Sequence, residues 1–284
     1  MATFTNSATL SYNGNMTVSN TVTGTLQEVL VVTKIPVVPE YTSRGEVTYV
    51  ITLVNSGTTA LTGLILTDNL GAFSYNEETR YPLTYTENSV KYYINGLLQA
   101  APTVTAGPPL EIRGINIPAG GNATLIYEAR ANEFAPMELE SFITNQVTVT
   151  GDNLAEPVTA EATVNAETAP VLTIHKDLSP TTVASNGEIS YTFTIQNTGN
   201  AAADAAAGIV LTDTFDPILD PITVTFNGTA WAAPANYTYD TATGVFSTVA
   251  GQITVPAATY TRDPATGAWI TTPGVSTLVI TGTV

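Results

Sequence analysis

The sequence predicts an all-β chain of two tandem antiparallel sandwiches, and three observations predict it. Apolar residues recur at every second position, turn residues punctuate them at short intervals, and the two halves of the chain repeat one another. Val47, Tyr49, Ile51 and Leu53 alternate with Thr48, Val50 and Thr52, and Ile189, Tyr191, Phe193 and Ile195 alternate with Ser190, Thr192 and Thr194. Successive side chains of a strand point to opposite faces, so each run buries one face and exposes the other. Asn55-Ser56-Gly57, Asn197-Thr198-Gly199, Pro118-Ala119-Gly120-Gly121 and the Asn-Gly pairs at 95–96 and 227–228 supply the residues that end strands. The best helical stretch is the Ala-rich Ala201–Gly208, which reads equally as a loop insertion.

The repeat sets the domain organisation. GEVTYVITLVNSG at 45–57 aligns with GEISYTFTIQNTG at 187–199, and LILTD at 64–68 aligns with IVLTD at 209–213. Lys34 and Lys176 precede these blocks at matching points, and their separation is half of the 284-residue length. The expected division is 1–25 as an N-terminal donor strand and connector, 26–155 as a first domain and 156–284 as a second.

Composition excludes several function classes. Eight Lys and Arg face 24 Asp and Glu, a formal charge of −16, so no basic patch can neutralise a phosphate backbone or an anionic membrane. The absence of Cys removes disulfides, thiol nucleophiles, zinc ribbons and iron–sulfur sites, and a single His makes a His-dependent triad or an imidazole metal site improbable. A hydrophobic content of 44% with 11% charged residues is too apolar for disorder. No run of apolar residues is long enough to span a bilayer, and MATFTNSATL carries no standard export signal, so no membrane insertion is expected.

A first strand ending in Lys, then Gly-Glu-x-hydrophobic-Thr/Ser-Tyr-x-hydrophobic-Thr, Asn-x-Gly, Leu-Thr-Asp and a closing Thr-Asn strand resemble the bacterial and archaeal conserved-repeat domain known as domain of unknown function, family eleven. The resemblance covers essentially the whole chain. It implies an immunoglobulin-like sandwich used in surface and fibre proteins, some with self-forming isopeptide cross-links, and clostridial spore-appendage and surface proteins look nearest.

One strand is out of place in this scheme. In the first domain, Ala123–Ala129 is followed by a closing strand, Phe142–Thr150; in the second, the counterpart Ser276–Gly282 runs into Val284, so the second sandwich is expected to lack its closing strand. The start of the chain, Phe4–Ser11, matches that strand, with Thr5-Asn6 on Thr144-Asn145 and Ala8, Leu10 on Val147, Val149. Unpaired edges attract other chains. The expectation is therefore that residues 3–13, through Phe4, Asn6, Ala8 and Leu10, complete the second domain of a neighbouring copy in a head-to-tail homopolymer. The alternative is a segment folded back on its own second domain.

Alternation turns three residue types toward the core: Lys34 with Leu30 and Val32, Lys176 with Leu172 and Ile174, Asp68 with Leu64 and Leu66, Asp213 with Ile209 and Leu211, Asn145 with Val147 and Val149, and Asn6 with Ala8 and Leu10. Burial favours a neutral amine and a neutral carboxylic acid. A neutral amine can attack a carboxamide carbon while the acid hydrogen-bonds its oxygen and relays the proton, releasing ammonia and leaving a Lys–Asn amide. The expected pairs are Lys34–Asn145 within the chain, assisted by Asp68, and Lys176–Asn6 between subunits, assisted by Asp213. A buried ion pair with a neighbouring Asn is the other reading.

Other signals are weaker. His175 reads as a surface or junction residue, the acidic clusters Asp213-x-x-Asp216 and Glu138-x-Glu140 lack a recognised calcium spacing, Trp231 and Trp269 read as packing, and the Asn-x-Thr sequons carry little weight in a Thr-rich chain. No metal or cofactor is expected. The sequence reads as a structural fibre subunit outside the cell, on a cell or spore surface, with single-turnover self-modification and no enzymatic turnover. A monomeric adhesin module binding a receptor or glycan is the alternative.

Overall fold

A computed structural model describes residues 2–284 of the chain. They divide into two compact units: the first runs through Pro136 and resumes at Phe142–Asn165, and the second takes Met137–Ser141 with Ala166–Val284.

Before the first sandwich come β1 (Ala2–Asn6), β2 (Thr9–Tyr12), β3 (Asn15–Val18) and β4 (Val22–Leu26). They form one hairpin: β1 pairs with β4, β2 with β3, and the turn is Asn13-Gly14 with both residues at positive φ. That conformation suits the twist of a two-residue hairpin and favours Asn-Gly. Residues 14–25, expected as a connector, are therefore the hairpin's second arm.

The first sandwich contains β5 (Leu30–Pro36), β6 (Glu40–Tyr41), β7 (Glu46–Asn55), β8 (Leu61–Asp68), β9 (Phe73–Tyr75), β10 (Glu78–Arg80), β11 (Leu83–Tyr85), β12 (Lys91–Ile94), β13 (Leu97–Leu98), β14 (Thr103–Thr105), β15 (Leu110–Ile117), β16 (Asn122–Ala131), β17 (Phe142–Thr150) and β18 (Val158–Ala166). One sheet has the order β13-β12-β16-β7-β5, and the other β14-β15-β8-β17-β18-β6. With β5, β7, β8, β12, β16, β17 and β18 as strands A to G, these are the A-B-E-D and C-F-G sheets of the immunoglobulin arrangement, with β15 on the outer side of C. The core lies between them, where Tyr49, Ile51, Leu53, Leu125 and Tyr127 of one sheet and Leu64, Leu66, Ile112, Val147 and Val149 of the other are buried. Each such side chain contributes about 1.5–3 kcal/mol. β18 pairs with β17 from Phe142–Asn165 to Val149–Val158, so the first unit reaches Asn165, beyond the expected 155/156 boundary. That strand alternates small Ala and Val residues with polar ones, and the expected boundary places it in the second domain.

The second unit contains β19 (Leu172–Ser179), β20 (Glu188–Asn197), β21 (Thr212–Thr214), β22 (Ile222–Phe226), β23 (Thr229–Trp231), β24 (Tyr237–Asp240), β25 (Val245–Thr248), β26 (Thr259–Arg262), β27 (Trp269–Thr272) and β28 (Gly274–Thr283). Its larger sheet, β19-β20-β28-β22-β23, repeats the first unit's A-B-E-D order, and β21-β25-β24 supplies strand C with its outer neighbours. Among the described residues, no strand pairs with the other edge of β21, the edge that β17 occupies on β8. The fold is thus two tandem immunoglobulin-like antiparallel sandwiches, with that edge of the second open. The Ala-rich stretch holds only a 3₁₀ turn, Ala205–Ala207, capped by the Asp204 carboxylate and closed by Gly208 in the left-handed region.

Amide exchange of the unassembled chain is expected to separate the two units. β8 amides, hydrogen-bonded on both edges, exchange slowly, and the open-edge amides of β21 exchange orders of magnitude faster; equal protection would mean that β21 is covered.

Candidate functional site

Lys34, Asp68 and Asn145 meet in the middle of the first sandwich. β5 alternates buried and exposed residues, and the parity that buries Leu30 and Val32 carries Lys34 inward. Asp68 is the last residue of β8, and Asn145 lies on β17, where Val147 stands opposite Asp68. Lys34 Nζ donates to Asp68 Oδ2 at 2.6 Å, with the two side chains 0% and 2% exposed. Asp68 Oδ1 accepts the backbone N–H of Leu70 at 3.0 Å.

Two tyrosines that sequence reasoning missed complete the site. Tyr127 Oη on β16 donates to Asp68 Oδ2 at 2.6 Å and accepts from Asn145 Nδ2 at 3.0 Å, linking the carboxylate to the carboxamide. Tyr49 on β7 stacks on Tyr127 with ring centroids 5.5 Å apart and lies beneath the ammonium, 4.7 Å from Lys34 Nζ. A buried Tyr needs a partner for its hydroxyl, and Tyr127 shares inward parity with Leu125, so the signal was present. The repeat concealed it, because Ile280 occupies the matching place in the second half.

Burial lowers the Lys34 pKa to about 8, against the opposing pull of Asp68. Burial, then the Asp68 charge, holds the Tyr127 phenol well above its ordinary value, so it remains a donor. Burial also raises Tyr49, and its approach to the Asn145 amide offsets part of that rise, although Tyr49 Oη and Asn145 Oδ1 make no hydrogen bond of good geometry. A buried acceptor without a partner costs about 1–3 kcal/mol. Asn145 therefore presents an unsatisfied carbonyl oxygen in a site that holds an amine and a carboxyl group.

The second unit brings together Lys176 and Asp213, which form an ion pair, with Lys176 over the rings of Tyr191, Phe193 and Phe215. Here the amine is 40% and the carboxylate 18% exposed. The difference extends along the strand: Leu172 is 38% exposed where its counterpart Leu30 is 4% exposed. Asn6 stands opposite Val22 in the N-terminal hairpin of the first unit, and Phe4, Ala8 and Leu10 are exposed there with it. His175 is exposed and pairs with Asp177 at 3.1 Å. Trp231 stacks on Phe226 at 4.9 Å, and the Arg262 guanidinium lies 4.6 Å from the Trp269 ring.

No protein-family model and no curated protein matches the sequence. Among solved structures, the chain is similar to the pilus backbone RrgB of Streptococcus pneumoniae, at 12% identity over 86% of this chain and 55% of that one, with a TM-score of 0.35. A C-terminal fragment of the major pilin GBS80 of Streptococcus agalactiae has 12% identity, 87% and 91% coverage and a TM-score of 0.35. The major pilin subunit BcpA of Bacillus cereus has 10% identity, 95% and 73% coverage and a TM-score of 0.35. The chain spans about half the length of the RrgB structure. At these scores the strand order and the site geometry carry the reading.

In an Asn145→Ala background, where no Lys34–Asn145 amide can form, Asp68→Ala is expected to destabilise the first unit by about 3–5 kcal/mol, since it leaves a buried ammonium without its partner. The double variant Lys34→Met/Asp68→Leu recovers most of that loss. Native-state hydrogen exchange of β7 and β16 amides reads both, and an Asp68→Ala effect below about 1 kcal/mol would show that the ammonium is not held there.

Proposed function

We propose that the chain is a structural subunit that polymerises head to tail into a fibre outside the cell, on a cell or spore surface. The strand Phe4–Leu10 of one copy completes the second unit of the next, and Lys–Asn amides lock the polymer. The observation that carries this reading is the open edge of β21. On it lies Asp213, paired with a half-exposed Lys176, in the arrangement that β17 and Asn145 cover in the first unit. Asn6 in the N-terminal strand matches Asn145 in sequence, which supports the donor assignment.

In the first unit the neutral Lys34 amine attacks Asn145 Cγ. The proton held between Lys34 and Asp68 moves to the developing oxyanion and then to the leaving nitrogen, the Asp68 carboxylate takes up the proton that the attacking nitrogen loses, and the C–N bond to the leaving nitrogen breaks, so that amine plus carboxamide become a secondary amide plus ammonia. Tyr127 orients the carboxamide through Nδ2. Each site reacts once, so the chemistry is self-modification and not turnover. In the second unit Lys176 and Asp213 would act on Asn6 of the incoming copy.

The intact mass is expected to fall by one ammonia per bond, and boiled samples give a ladder on denaturing gels; recovery of unmodified monomer would overturn the covalent step. Leu10→Asp is expected to leave the chain monomeric, with concentration-independent sedimentation.

The pH profile tests the role of Asp68. Neutral amine with neutral acid holds the same number of protons as the ion pair, so the rate of amide formation stays level below about 8 and falls above it, as the shared proton leaves. A rate climbing tenfold per pH unit to a plateau near 8 would exclude Asp68 as the acid.

A further inference from the structure

The first unit completes its second sheet with two strands. β17 lies on β8, with Val147 opposite Asp68 and Val149 opposite Leu66, and β18 covers β17 along its length. Asn145, Val147 and Val149 of β17 and Ala162, Val164 and Ala166 of β18 are all buried. In the second unit, among the described residues, neither strand has a counterpart on β21.

The N-terminal hairpin has the make-up of that missing pair. Phe4, Asn6, Ala8 and Leu10 take the places of Ile143, Asn145, Val147 and Val149. Counted back from the two lysines, Val18, Val22 and Gly24 on the return arm stand where Ala160, Val164 and Ala166 stand. In both cases the return arm leads directly into the strand that carries the lysine, β4 into β5 and β18 into β19. Opposed residues share a face, so Phe4 and Asn6 lie with Gly24 and Val22 on one side, and Thr3, Thr5, Thr23 and Thr25 lie on the other. The registers differ: Asn145 faces Ala162 whereas Asn6 faces Val22 and not Asn20, a slip of two residues that keeps each side chain on its face, and nearer the turn Val18 faces Thr9 and not Ala8, a slip of one that docking has to undo.

Three properties make this hairpin an incomplete element. Phe4, Leu10, Met16, Val18 and Val22 are all more than half exposed. A lone two-stranded hairpin is marginal in water. Residues 2–26 carry no charged side chain and no His, so a docked hairpin would cover the matched Lys176–Asp213 pair without adding an unpaired side-chain charge.

We infer that the donated element is the whole hairpin, residues 2–26, of a second copy; this rests on the strand donation proposed above. Its first arm pairs with the open edge of β21, its second arm forms the next strand outward, and the chain continues into that copy's β5. The connection between copies is then equivalent to the one between β18 and β19 within a chain, and each lysine-bearing strand follows a completed sheet.

Competition by peptides added to the full-length chain before assembly tests this. A synthetic peptide of residues 1–26 is expected to arrest growth, and an equal molar excess of residues 1–13 to leave the polymer sizes unchanged, as read by sedimentation velocity. Val22→Asp, on the return arm, is expected to leave the full chain monomeric with the amide spectra of both sandwiches unaltered. If residues 1–13 arrest growth as well as 1–26, and Val22→Asp polymerises like the parent, one strand is donated and the two-strand inference falls while donation stands. If the chain does not polymerise, or neither peptide changes polymer size, donation itself falls and the inference falls with it.

Discussion

Lys34 carries an ammonium into the centre of an apolar sandwich, and the first unit is organised around making that tolerable. Removing such a charge from water is costly unless a carboxylate meets it and further donors satisfy the carboxylate. Asp68 meets it at 2.6 Å, and Tyr127 and the Leu70 amide supply those donors. The partners come from β5, β8 and β16, so one polar contact ties both sheets together across the core. β17 seals it by pairing with β8 and placing Asn145 against Tyr127.

The second unit shows the same pair without its seal. Lys176 and Asp213 sit on the same strands of the repeat, yet water reaches both, and the side chains that should face a core from β19 are exposed with them. An open edge is a template for another chain. The pair that is dry in the first unit is wet in the second, and a strand carrying an amide and apolar neighbours would cover it, as the proposed donation requires. The absence of Cys has a related meaning for the proposed fibre: disulfides cannot cross-link it, and a dry Lys–Asn pair is chemically suited to do so.

Much of this was legible from alternation and repetition. The inward parity of Lys34, Asp68 and Asn145 follows from the period of two, and the repeat placed Lys176 and Asp213 beside them. Tyr127 was not legible through the repeat, because Ile280 replaces it. β18 was assigned to the second domain because its pairing with β17 is not visible in its small residues, and the return arm of the N-terminal hairpin was missed although Asn13-Gly14 marks the turn as plainly as the Asn-Gly pairs at 95–96 and 227–228.

By itself the sequence determined the all-β class, the two-fold repeat and the face of each strand, because these depend on spacing along one chain. Only the tertiary structure decided which edges are paired, which of two identical Lys–Asp pairs is dry, and which hydroxyl connects Asp68 to Asn145. Pairing, burial and hydrogen bonding are set by residues distant in sequence, and neither periodicity nor motif records how far a neighbouring strand excludes water.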